Sequence, residues 1–168
     1  MLLLFSAFLA SWRFNTGFKV WLMRLISIIL VFFLSAPVNA DTAFTPVIRL
    51  KISGHVLSAE VAHTQMSRSQ GLMYRQSMEK NHGMLFVFPE TGRHSMWMAN
   101  TPIPLSVAFV DEKGIILNIA DMAPHTETVH SAVGAAKYAV ETNFGWFRAK
   151  GIKAGGRITG LERAPVAE

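Results

Sequence analysis

Apolar and polar residues alternate at the start of PVIRLKI (46–52): Ile48, Leu50 and Ile52 fall on one side, Val47, Arg49 and Lys51 on the other. A period of two is the signature of a half-buried strand. Ser53-Gly54-His55 turns the chain, and Leu57, Ala59 and Val61 alternate again in VLSAEVA, so the two runs predict a hairpin. MLFVF (84–88) is a short apolar run after a turn expected at Asn81-His82-Gly83. LSVAFV and IILNIAD flank Asp111-Glu112-Lys113-Gly114, whose Asp and Gly suit a hairpin loop. KYAVETNF, RITGL and, if extended, HSMWMA bring the set to about eight strands.

Two short helices interrupt them. Thr64 is placed to cap QMSRSQGLMYR, where Gly71 predicts close packing or an early end. GWFRAK reads as a turn of helix stopped by Gly151. Short strands, hairpin turns and two small helices predict a mainly β domain, a β-sandwich or a partly closed barrel.

The first 40 residues do not share this pattern. From Met23 the chain reads MRLISIILVFFLSAPVNA: a positive charge, an apolar run over Leu25 to Ala36, then Val38-Asn39-Ala40. That is the layout of a secretory signal cleaved after Ala40, with translation starting at Met23. The run is shorter than the roughly 20 apolar residues that span a bilayer. An uncleaved inner-membrane anchor is the alternative to a periplasmic product, and contact with a membrane is expected only through such a leader. Residues 41–168 then form one domain, long enough for one core.

Three of the 16 basic residues (Arg13, Lys19, Arg24) lie in the leader, leaving 13 against 11 acids, or +2. The whole-chain charge of +5 therefore overstates any affinity for nucleic acid, and none is expected as a partner. Cysteine is absent, which excludes disulfides and an acylated lipoprotein, so burial alone must hold the fold. The motifs G-x-S-x-G, H-E-x-x-H and G-x-x-x-x-G-K are missing too, which removes support for common hydrolases, zincins and nucleotide enzymes.

HSMWMANTPIPL (94–105) is the densest stretch of chemistry-bearing residues. An extended 94–98 would put His94, Met96 and Met98 on one face, a histidine and two thioethers of the kind that holds Cu(I). Methionines filling irregular core gaps explain the same pattern, and packing is the preferred reading, so no metal or other cofactor is expected. Pro102 and Pro104 force Asn100-Thr101 to leave the strand at a rigid corner. Beside Trp97, such a corner can wall a cleft, or it can be an Asx turn satisfying its own backbone. HTETVH, with His125 and His130 around Glu127, fits neither one strand face nor one helical turn and reads as a solvated loop. In YAVETNF, Glu141 shares a face with Ala139 and Asn143. It either meets solvent or, if buried, needs a partner, for which Arg75 and the Asn100 corner are candidates.

The blocks GLMYR (71–75), GMLFVF (83–88), MWMANTPIPL (96–105), AFVDEKGII (108–116), ADMAP (120–124), YAVETNFGW (138–146) and GIKAGGRI (151–158) occur in one order. In that order the chain resembles the domain-of-unknown-function family number 192, over nearly all of 47–162. The resemblance implies a compact, mainly β domain and no agreed activity. It marks Arg75, Trp97, Met98, Asn100 and Glu141 as motif residues. Two positions depart from the family: Ser106 stands where Asp is usual, and Gly156 where Asp is frequent. If the missing carboxylate normally pairs with Arg75, the arginine here needs another partner, such as Glu141.

The expected function is non-catalytic binding of a small polar molecule or cell-envelope fragment by Arg75, Trp97, Met98, Asn100 and Glu141. The alternatives are an envelope-acting enzyme with Glu141 as acid or base, and Cu(I) binding through His94, Met96 and Met98.

Overall fold

The computed structural model describes residues 45–168. The expected leader and its cleavage site lie outside the described residues. The alternating runs form the expected hairpin, β1 (Val47–Ile52) and β2 (His55–Ala62), paired antiparallel around the Ser53-Gly54 turn. Leu50, Ile52, Leu57, Ala59 and Val61 are buried as their period requires. Thr64 then caps α1 (Gln65–Gln70): its hydroxyl accepts from the Ser67 amide at 3.1 Å, while the Ser67 hydroxyl accepts from the Thr64 amide at 3.0 Å. This reciprocal box satisfies two amides that a helix start leaves unpaired. The helix stops at Gly71, whose φ of 47° is left-handed and which lies so close to Phe86 that an added Cβ would sit 3.2 Å from the ring. Both expectations for this glycine hold.

β3 (His82–Gly92) returns parallel to β2, the only parallel pair of the sheet among the described residues. The turn expected at 81–83 ends earlier, because Gly83 is already inside the strand. A Cβ there would lie 2.3 Å from the Glu141 carbonyl oxygen, so the glycine serves close strand approach rather than a turn. β5 (Leu105–Val110) and β6 (Ile116–Met122) pair as a hairpin, with Asp111 accepting from the Lys113 and Ile115 amides at 2.9 and 2.8 Å. β8 (Ala136–Asn143) inserts between β5 and β3, and α2 (Trp146–Ala149) follows it. HSMWMA shrinks to β4 (Ser95–Met96), which pairs with β7 (His130–Ser131) in a separate two-stranded sheet. His130 is therefore in a strand, whereas His125 is in the exposed loop expected for both.

The order β6-β5-β8-β3-β2-β1-β9, with β9 at Ile158–Thr159, leaves β6 and β9 at the two edges. They meet. Ile115 and Arg157 bridge, the Ile116 amide donates to Gly156 O at 2.9 Å, and the Ile158 amide donates to Gly114 O at 2.7 Å. The sheet thus curls into a partly closed barrel, the second of the two expected architectures, and where its two edges meet the backbone groups are paired.

Two cores result, one on each face. The interior cluster draws on every strand of the barrel, including Leu57, Leu85, Ala108, Ile116, Val140 and Ile158, with Trp146 and Phe147 packed beside them. The outer cluster joins Met84, Phe86, Val107, Phe109 and Ala139 of the central strands to Leu72, Met98, Ile103 and Ala132 of the covering segments. At about 1.5–3 kcal/mol for each fully buried large apolar side chain, these two layers are the main favourable term in a chain without disulfides.

Candidate ligand site

Glu141 sits at the centre of the outer face. β8 is flanked on both sides, and the register sets Glu141 opposite Met84 on β3 and Val107 on β5, both buried and apolar. The side chain is 4 % exposed and makes no hydrogen bond or ion pair. Burial alone pushes its carboxyl up to about 8, so the acid is largely protonated at neutral pH. Among the described residues no sealed side-chain N or O lacks a partner, so the Glu141 oxygens must reach open space.

That space is a hollow of about 260 Å³ between the sheet and its cover. Phe86 and Glu141 form part of its wall from the strands, Arg68 to Met73 line it from α1 and the following turn, and Ser95, Met96, Trp97 and Thr101 line it from the segment around β4. Trp97 is 55 % exposed, and Thr101 is buried with its hydroxyl donating to Ala99 O at 3.2 Å. The wall therefore offers one acid, one guanidinium, two aromatic rings, thioethers and several neutral hydroxyl and amide groups.

Of the five site residues expected from sequence, Trp97 and Glu141 share this wall, whereas Arg75, Met98 and Asn100 do not line it. Met98 is fully buried in the outer core, its amide donating to Thr126 O at 3.0 Å. Asn100 holds the corner: its φ is 55°, its side chain is exposed, and its carbonyl accepts from the Tyr74 amide at 2.8 Å. Arg75 does not pair with Glu141. Its two terminal nitrogens grip both oxygens of Glu60 on β2 at 2.6 and 2.5 Å. The reasoning that a buried Glu141 must find a partner in Arg75 or Asn100 fails because Glu60 is closer in the fold, and because the hollow leaves the acid room to stay neutral.

The expected soft-metal trio is not one extended face, since β4 ends at Met96. His94 stacks on Phe88 with ring centres 3.7 Å apart and sets Nε2 2.8 Å from Glu90 O, Met96 lines the hollow, and Met98 is in the core. Ser106 faces a carboxylate across the ladder, Asp121 on β6. Ser106, fully buried, donates to Asp121 and accepts from the Gly145 amide at 2.8 Å, while Arg148 reaches the other Asp121 oxygen at 2.7 Å. Burial acts to raise the Asp121 carboxyl, but the bonds from Ser106 and Arg148 outweigh it and hold the group below its ordinary range.

Ser69, Gln70, Met73 and Phe86 are wall residues that the sequence analysis does not single out, whereas Thr101 belongs to the Asn100-Thr101 corner named there. Gly71 carried the available signal, since a glycine needed for close packing marks where the cover touches the sheet.

Fold and hollow together define a small β-barrel domain with one covered outer face and an acid-floored cleft beneath the cover. The chain belongs to the family DUF192, described as Uncharacterized ACR, which it matches over residues 48–160. No curated protein matches it. Among solved structures it is similar to a Sinorhizobium meliloti protein described as a candidate transcription regulator, at 36 % identity and a TM-score of 0.67, covering 70 % of this chain and 95 % of the other. It is also similar to a protein of unknown function from Novosphingobium aromaticivorans, at 31 % identity and a TM-score of 0.67, covering 74 % and 92 %.

Proposed function

We propose that the chain is an exported, periplasmic, non-catalytic domain that binds a small polar molecule or cell-envelope fragment in the hollow over Glu141. The observation that carries this reading is a carboxyl 4 % exposed, without a protein partner, opening on a space walled by Trp97. An unpartnered buried polar group costs stability, and a ligand that satisfies it recovers that cost. A nucleic-acid role, which the description of the Sinorhizobium protein would imply, finds little support in a charge of +2 over residues 41–168.

The second reading is an acid/base catalyst acting through Glu141, favoured by a carboxyl that keeps its proton at neutral pH. Binding is preferred because no second acid and no histidine lines the wall to complete such chemistry. The test is a screen of envelope sugars, short peptides and amino alcohols, read by melting temperature and intrinsic fluorescence. Trp97→Phe separates the rim signal from that of Trp146, and Ser69→Phe fills the hollow. A ligand should raise the wild-type melting temperature and leave Ser69→Phe unmoved. Responses identical in the two proteins would place binding elsewhere, and no response to any compound would count against the reading.

A further inference from the structure

Glu141 has no counter-ion in the hollow. Its charged wall residues are Glu141 and Arg68. The Arg68 guanidinium is committed to backbone oxygens: to His63, to Val87 at 3.3 Å and to Glu168 at 2.7 Å. It supplies no counter-ion to Glu141. Ser69, Gln70, Ser95 and Thr101 are neutral, and the cross-strand neighbours Met84 and Val107 are apolar. Phe86 and Trp97 offer aromatic rings, whose faces attract cations. Met73 and Met96 add polarisable thioethers that adapt to irregular shapes. The volume holds on the order of eight or nine water-sized groups, room for a compact ligand and not for a polymer chain.

We propose that the hollow takes a small organic cation, an alkylammonium or quaternary ammonium group, with its charge on the Glu141 carboxylate and its alkyl surface on Trp97, Phe86, Met73 and Met96. This rests on the hollow being a ligand site and narrows the ligand to one class. A neutral sugar would leave Glu141 protonated. A cation requires it ionised, so the proton on the carboxyl passes to buffer as the ligand's charge takes its place. Because the acid stays protonated up to about 8, affinity for a cation should rise about tenfold per pH unit below that point and level off above it.

The experiment is calorimetric titration of the protein with choline and with its uncharged carbon isostere, dimethylbutanol, in buffers of different ionisation enthalpy. Wild type should bind choline at least tenfold tighter than the isostere, release close to one proton at neutral pH, and gain affinity as pH rises. Glu141→Gln, which mimics the protonated acid and so preserves the fold, should lose the preference for choline and the proton release. Equal binding of both probes, binding without proton release, an undiminished preference in Glu141→Gln, or no choline binding would each overturn the inference. In all four cases the hollow stands as a site for neutral ligands if the sugar and peptide screen still responds. It falls only if that screen is silent as well.

Discussion

Two carboxyls on β6 and β8, the strands that flank β5, have opposite fates. Asp121 lies across the ladder from Ser106, and Glu141 lies across from Val107, so the alternation of a strand sends them to opposite faces. Asp121 is met by a hydroxyl and a guanidinium and is held ionised below its ordinary range. Glu141 is met by methionine, valine and open space, and is pushed up to about 8. A carboxylate tied by its own chain is accounted for by stability. One left without a partner at a cost to stability is not accounted for in that way, and the proposed ligand site rests on it. The comparison locates the candidate site more sharply than the shape of any cavity, since larger hollows exist elsewhere on the barrel.

The largest expected effect is that of Glu141→Gln on the pH dependence of stability. A folded value near 8 against an ordinary 4.5 means that the native state holds the proton more tightly than the unfolded state. The Glu141 contribution to stability is therefore fullest below 4.5, declines as pH rises towards 8, and is flat beyond. Each unit of separation corresponds to about 1.4 kcal/mol, and relaxation around the acid should leave a net penalty of about 2–4 kcal/mol. Chemical denaturation should find Glu141→Gln more stable than wild type by that amount above pH 8 and nearly equal to it near pH 4. A constant difference across the range would mean that the carboxyl is not desolvated.

Ser106→Ala should act on the opposite face with the opposite character. It strips one bond from Asp121 and removes the hydroxyl that accepts from the Gly145 amide, at a cost of about 1–2 kcal/mol at neutral pH. Because the Asp121 value is lowered, its contribution is present above the ordinary 3.8 and is lost as pH falls through the folded value. The loss from Ser106→Ala should therefore shrink in acid, the mirror image of the Glu141→Gln profile. A deficit that persisted unchanged in acid would instead mean lost packing at Ser106.

Much of the barrel was legible because its signals are local. The alternation of 47–61, the Thr64 cap and the Asp111 turn depend on residues within a few positions of one another. The faces of β8 were harder to read. Strands flanked on both sides bury both faces, so Ala139 and Val140 are equally enclosed and alternation carries no inside or outside. For the site, Trp97 and Glu141 stood out as an aromatic and an acid in apolar runs, but what each meets is set by contacts across the chain. Arg75 reaches Glu60, Ser106 reaches Asp121, and Phe86 meets Gly71, none of which a spacing encodes. Met98 misled because a methionine in a core and one at a ligand share the same sequence neighbourhood.

The smallest expected effect sharpens the comparison at its edge. Arg75 belongs to the same motif set as Glu141, yet the fold ties it to Glu60 with both oxygens engaged and each side chain partly exposed, at 37 % and 28 %. An ion pair in that setting contributes under about 1 kcal/mol, even with paired geometry, because water screens it in both states. Its work is to fasten the segment after α1 onto β2, beside the amide of Tyr74 that holds the Asn100 corner. Arg75→Met keeps the apolar stem and removes only the charge, so the melting temperature should fall slightly and ligand binding in the hollow should hold. In a double-mutant cycle with Glu60→Gln, the second substitution should add little to the first. A ligand affinity that dropped tenfold in Arg75→Met at unchanged stability would show that the arginine acts on the hollow. The line drawn between tied and untied groups would then have to be moved to include it.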